Sequence, residues 1–227
     1  MEILHKSGYV HLDIKPNNIA IRFEDINLKD KLISLVLFDF GKAYKYDKKI
    51  TKNKKYVDKR FGGNAKYSSM NILKGGIPSP RDDLISLIYL LVFLYKGSLP
   101  WSFIEKNDRI SYINNMLSIK KNFNILSYCG EEFKEIDFIY NDINKLAFDK
   151  KPNYSLYKNI LIDLRKRKEI IGEENIKFKW EHKFYNVMRE FNVNQNFVIL
   201  NDTLNQVFEG FPLEISYSYI SQYSSNK

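Results

Sequence analysis

The chain has 227 residues, 44% of them hydrophobic and 28% charged, with only ten Gly and six Pro. That is enough apolar material for one domain with a core, and too few chain-breakers for long disordered stretches. A formal net charge of +9 and a pI near 9.3 leave three partner classes open: nucleic acid, an anionic membrane surface, or acidic substrates. The lone Cys129 excludes an internal disulfide and fits a reducing compartment. No charged leader precedes an apolar stretch at Met1, so nothing points to secretion. The expected location is intracellular, cytoplasmic or nuclear. The most apolar run, Leu84 to Leu94, is too short to span a bilayer and reads as a buried helix.

Met1 to Ser7 has a helical pattern that stops at Gly8, a natural residue just past a helix end. Tyr9-Val10 then leads into His11-Leu12-Asp13-Ile14-Lys15-Pro16-Asn17-Asn18, and Ile19-Ala20-Ile21 leads out. A carboxylate, a cation two residues on and an amide five residues on form a set suited to phosphate and metal, held rigid by apolar flanks. Asn18 to Phe23 and Leu35 to Phe38 read as two short strands. The polar stretch Glu24 to Lys31 is their hairpin loop, and the second strand runs into Asp39-Phe40-Gly41. Such a hairpin brings Asn18 and Asp39 close in space although they are distant in sequence.

Gly41 to Arg60 is basic, with Lys42, Lys45, Lys48, Lys49, Lys52, Lys54, Lys55, Lys59 and Arg60 opposed only by Asp47 and Asp58. By itself a stretch of this kind reads as a solvated loop, with an anion-binding role as the open alternative. Ser79-Pro80-Arg81-Asp82-Asp83 starts a helix by N-cap and first-turn chemistry. Leu84, Leu87, Ile88, Leu90, Leu91, Val92 and Leu94 make it apolar on nearly every face, so it is the expected central helix, ended by Gly97. Three amphipathic stripes follow: Ile110, Ile113 and Leu117; Phe133, Ile136, Tyr140, Ile143 and Ala147; Tyr154, Tyr157, Leu161 and Leu164. Trp180, Phe184, Val187, Met188 and Phe191 make one more, before an Asn-, Ser- and Tyr-bearing tail.

The spacing His-x-Asp-x-Lys-x-x-Asn at 11–18 resembles the catalytic loop of protein kinases, with Leu12 where that motif has Arg. Asp39-Phe40-Gly41 follows in the order and at the distance such a kinase requires. Further marks are more specific. Ala65-Lys66-Tyr67-Ser68-Ser69-Met70-Asn71 is similar to the Ala-Arg-Tyr-Ala-Ser-Ile-Asn of the casein kinase 1 family. Arg81-Asp82-Asp83-Leu84, Gly97-Ser98-Leu99-Pro100-Trp101, Leu146-Ala147-Phe148-Asp149 with Pro152 and Tyr154, and Phe178-Lys179-Trp180 resemble other motifs of that family.

The resemblance implies a mainly α, protein-kinase-like fold with a small β-hairpin, corresponding to the C-terminal lobe without the N-terminal lobe. Residues 1–181 would be that large lobe, with the catalytic loop at 11–18 and the activation segment at 39–71. Residues 182–227 would be a C-terminal extension. A kinase also needs a Gly-rich loop, a strand lysine and a helix glutamate, and Met1 falls partway along the helix that precedes the catalytic loop in the family. The expectation is therefore a truncated gene model or a genuine fragment, inactive as an isolated lobe.

By the same resemblance the function is Ser/Thr protein kinase, with ATP and Mg²⁺ as cofactors and acidic or phosphorylated proteins as substrates. Asp13 would accept the hydrogen bond of a Ser or Thr hydroxyl. Lys15 would neutralise the transferring phosphoryl, and Asn18 and Asp39 would hold Mg²⁺ through hard oxygens. Lys66 matches a family arginine and is the candidate anion contact. Asp83 reads as a structural tie to the catalytic loop and His11 as a packed histidine. Four departures stand out: Leu12 removes the arginine of a phosphate switch, Asn64 replaces a Thr beside Asp13, Lys42 replaces a Leu, and Ile88 replaces a Gly. The alternatives are a non-catalytic kinase-like module and a basic nucleic-acid binder, the latter without any nucleic-acid-binding motif.

Overall fold

A computed structural model describes residues 1–23, 33–46, 64–105, 108–167 and 197–199. In chain order these form α1 (Glu2–Lys6), β1 (Tyr9–Val10), β2 (Ile19–Phe23), β3 (Ile33–Leu37), β4 (Tyr44–Lys45), α2 (Met70–Leu73), α3 (Pro80–Lys96), α4 (Arg109–Lys121), α5 (Ile125–Cys129), α6 (Lys134–Lys145), α7 (Tyr154–Arg167) and β5 (Phe197–Ile199). The described residues are thus mostly helical with small antiparallel sheets. None of their helices is long and apolar enough to cross a membrane.

The helix α3 starts where its sequence says it should. Pro80 sits in the first turn, the Ser79 N–H donates to the Asp82 carboxylate at 2.8 Å, and Gly97 closes the other end at φ 75°. Its side chains Leu84, Ile85, Ile88, Tyr89, Leu90, Val92 and Phe93 are buried. Trp101, Met116, Ile125, Ile136, Ile139, Tyr140, Ile143 and Tyr157 belong to the same core. Tyr89 meets Trp101 edge-on at 4.8 Å, a geometry that contributes about 0.5–1.5 kcal/mol beyond the area it buries. Ile88, the departure from a family Gly, is one of these buried core residues. Leu94 is half exposed, because the last turn of α3 runs out of the core.

Two of the expected stripes shift phase. In α4 the buried face is Met116 and Lys120, flanked by half-buried Ile113 and Leu117, while Ile110 is 74% exposed. Asp108 caps this helix by accepting from the Ile110 and Ser111 N–H groups, which places Ile110 in a first turn outside the core. In α7 Tyr157 is buried and Ile160 packs on the core, whereas Leu161 is exposed. The stripe of α6 stands at Ile136, Tyr140 and Ile143, but Ala147 lies beyond the helix end and is exposed.

The expected hairpin is β2–β3, antiparallel from Ile19 opposite Leu37 to Phe23 opposite Ile33. It gains a third strand: β5 pairs with the free edge of β2, Ala20 opposite Ile199. Phe197-Val198-Ile199 is too short to announce itself by period. A second sheet pairs β1 with β4, Val10 opposite Tyr44. The loop Glu24 to Lys31, most of the basic stretch to Arg60, Phe178-Lys179-Trp180 and the helix expected over Trp180 to Phe191 lie outside the described residues.

Candidate active site

Residues 11–18 are held in place chiefly by one buried carboxylate. Asp83, at the start of α3, accepts the His11 N–H at 2.6 Å on Oδ2 and the Leu12 N–H at 2.8 Å on Oδ1. His5 Nε2 lies 2.9 Å from the same Oδ2, and the other His5 nitrogen meets the Tyr154 hydroxyl. Leu12 has φ 64°, a left-handed backbone that costs a residue with a Cβ roughly 1–2 kcal/mol. The two charge-assisted bonds to Asp83 offset that cost. This is the tie expected of Asp83.

His11 is fully buried and links the loop to β3. Its Nδ1 accepts the Asp13 N–H at 3.3 Å, so its Nε2 carries the proton and donates to the Phe38 carbonyl at 3.0 Å. The Phe40 ring packs edge-on against it at 4.9 Å. His11 is thereby fully engaged in structure, as its apolar surroundings suggested.

Asp13, Lys15 and Asn18 come together. Lys15 Nζ lies 2.8 Å from Asp13 Oδ2, and Asn18 Nδ2 donates to the Asp13 carbonyl at 2.8 Å and to Oδ2 at 3.2 Å. With its Nδ2 so committed, Asn18 keeps Oδ1 as its hard donor atom. Asp39 is placed on the same side of the hairpin, because the Phe38 N–H donates to the Asn18 carbonyl at 3.1 Å. Asp39 itself is exposed, in a left-handed conformation at φ 60°, and accepts the Gly41 N–H at 3.2 Å.

A group that sequence reasoning treated only as a departure joins this set. Lys42 Nζ lies 3.3 Å from Asp13 Oδ2. Its signal in the sequence was the cation directly after Asp39-Phe40-Gly41. Burial alone would push the Asp13 carboxyl up, but the Lys15 and Lys42 ammonium groups outweigh it and hold Asp13 below the usual carboxylate range. Asp13 Oδ1 is buried and has no hydrogen-bond partner among the described residues. Asn64 supplies no bond there; its carbonyl accepts from Tyr67, Ser68 and the Ser68 hydroxyl instead.

A buried carboxylate with one occupied and one open oxygen, beside two ammonium groups and the Asn18 amide, is suited to phosphoryl transfer. A protein kinase domain model matches residues 1–145. The chain belongs to the protein kinase family. Over 170 residues it is 30% identical to a protein of Encephalitozoon cuniculi named probable casein kinase I homolog, a match covering 74% of this chain and 54% of that relative. The chain therefore spans about half the length of this curated relative, and within the kinase family its likeness is to the casein kinase 1 type.

The kinase-family stretch Ala65 to Asn71 is fixed from three sides. Trp101 Nε1 donates to the Lys66 carbonyl at 2.6 Å, and the buried Lys120 ammonium donates to the carbonyls of Ala65, Lys66 and Ser68 at 3.0, 3.2 and 2.5 Å. Asp82 accepts from Ser69 Oγ at 2.6 Å and from Asn71 Nδ2 at 3.2 Å. Burial pushes the Lys120 amine well below its ordinary range, while the Tyr89 and Trp101 rings, each 4.6 Å away, face its charge. Lys120 was hidden in a stripe otherwise read as apolar. Lys120→Met leaves three buried carbonyls without this donor, so its expected cost is on the order of 3–5 kcal/mol. Thermal melting followed by circular dichroism checks this, and an unchanged midpoint would remove Lys120 as an anchor.

Lys66, the expected anion contact, is not part of the Asp13 cluster. Its ammonium lies 4.1 Å from the centre of the Phe93 ring and 5.7 Å from that of Tyr67.

Proposed function

We propose that residues 1–181 are the large, C-terminal lobe of a Ser/Thr protein kinase of casein kinase 1 type. It would transfer the γ-phosphate of ATP, with Mg²⁺, to Ser or Thr of acidic or already phosphorylated proteins. The observation that carries this reading is the asymmetry of Asp13, whose Oδ2 is surrounded by donors while its buried Oδ1 has none among the described residues. A substrate hydroxyl donating to Oδ1 satisfies that atom and is aimed by it. Asn18 through Oδ1 and Asp39 through its carboxylate would hold Mg²⁺, which prefers hard oxygens. Bound Mg-ATP supplies the phosphoryl group and spreads its charge. Lys15 faces that charge as a neutralising cation.

Lys66 remains the candidate for a substrate phosphate. A partly exposed cation–π contact contributes about 0.5–1 kcal/mol, less than the roughly 1.5–3 kcal/mol of a hydrogen bond to a charged group. A phosphate within reach is therefore a stronger partner for the ammonium than the Phe93 ring.

The test is a fusion of a casein kinase 1 small lobe ahead of Met1, assayed on paired peptides with phosphoserine or Ala upstream of the target. The fusion is expected to transfer phosphate and prefer phosphoserine, with Lys66→Ala narrowing the preference. The 227 residues alone are expected to be silent. Their sequence holds no Gly-rich phosphate loop followed by a strand lysine, and each lost preorganised contact costs about 10²–10³ in rate. Silence of a folded, ATP-binding fusion would favour the non-catalytic module. Robust activity of the unfused chain would refute the need for a second lobe.

A further inference from the structure

Among the described residues, one oxygen of Asp13 faces more positive charge than it needs. Lys15 Nζ at 2.8 Å already balances the carboxylate, and Lys42 Nζ at 3.3 Å makes the pair net positive. The two lysines differ in how firmly they are held. Lys15 has a side chain 23% exposed and makes the shorter contact, while that of Lys42 is 40% exposed and makes the longer one. Asp13 is only 4% exposed and is fixed by Asn18, so it stays when Lys42 moves. A lysine on a flexible four-carbon stem re-aims easily.

We propose that Lys42 is a specificity-determining residue that turns from Asp13 to an anionic side chain on the substrate residue next to the acceptor. This rests on the reading of Asp13 Oδ1 as the acceptor's partner. Oδ1 and Oδ2 are neighbouring atoms of one carboxylate, so a hydroxyl bonded to Oδ1 lies within about 8 Å of Lys42 Nζ. An extended peptide advances about 3.3–3.6 Å per residue. A side chain adjacent to the acceptor falls inside that reach, whereas one three residues away starts about 10 Å off along the chain. When Lys42 leaves, Asp13 and Lys15 still balance, and the substrate carboxylate gains a partner. Both carboxylates are then paired. The resemblance to casein kinase 1 puts Leu at this position, so the discrimination belongs to this chain's own residue.

The experiment is calorimetric titration of the 227-residue chain with Ser peptides carrying Asp on either side of the Ser, Ala in its place, or Asp three residues away. The chain is expected to bind one Asp-neighbour peptide about fivefold more tightly than the Ala peptide, the scale of a half-exposed ion pair. Lys42→Met should erase that ratio and Lys42→Arg should keep it, while the preference for the distant Asp is unaffected by either. An undiminished neighbour preference in Lys42→Met overturns the proposal, as does binding of all peptides without any neighbour preference. If no peptide binds at all, the acceptor-site reading falls and this proposal falls with it.

Discussion

Asp13→Asn, in a chain carrying a small lobe, is expected to lower phosphoryl transfer by about 10²–10⁴-fold, the usual contribution of a positioned general base. Mg-ATP affinity should stay close to that of the unsubstituted protein. The amide has the shape of the carboxylate but no charge, and one of its two ends is a donor. Placed with its oxygen toward Lys15, it presents an NH₂ where Oδ1 was, and the acceptor hydroxyl loses its partner. Asp39→Asn should fail differently. Weakening even an indirect support of a metal ligand costs about 10–100-fold in affinity, so losing a ligand's charge should reduce nucleotide binding at least that much, and only when Mg²⁺ is present. Nucleotide titration with and without Mg²⁺ separates the two variants. Appreciable transfer by both would show that these carboxylates do not perform the roles proposed for them.

The contrast between what was legible and what was not follows the range of the interactions. Asp13, Lys15 and Asn18 lie within one loop, and the hairpin that brings Asp39 alongside is a local pairing; spacing alone revealed both. Helix α3 was equally plain, since its cap, apolar run and terminal Gly lie in one continuous segment. The tie from Asp83 to the loop was legible, but what was missed is long-range or off in phase. The His5 and Tyr154 partners on the far side of Asp83 went unseen, and the Lys120 anchor crosses more than fifty positions to Ala65. Nothing in local period marks such a pair. Ile110 and Leu161 were misplaced because an apolar residue at helical spacing fits a stripe whether or not another element covers it. Lys42 is the instructive case: it was noticed as an odd residue, but only the structure shows the carboxylate it meets.

Asp83→Ala is expected to give the largest loss of stability of any single substitution around the loop. The carboxylate is fully buried and accepts from two backbone N–H groups, with an imidazole nitrogen of His5 as its third partner. Truncation leaves the His11 and Leu12 N–H groups without an acceptor in the core, at about 1–3 kcal/mol for each unsatisfied group. The two groups together cost about 2–6 kcal/mol, a span that includes the roughly 3–5 kcal/mol for breaking a buried charged contact. Asp83→Asn should recover little, because its NH₂ end faces an N–H that also donates. His5→Phe should cost less, since it removes one partner and leaves both loop bonds to Asp83. Its effect should not add to that of Asp83→Ala, because both act on one network. Urea unfolding of the unsubstituted chain, the three single variants, the Asp83→Ala/His5→Phe double variant and Asp13→Asn gives the free energies, and peptide titration reports whether the loop is still formed. Asp13→Asn should keep the fold while Asp83→Ala loses both stability and peptide binding. If Asp83→Ala unfolds at the same urea concentration as the unsubstituted chain, the loop is held by something other than this carboxylate.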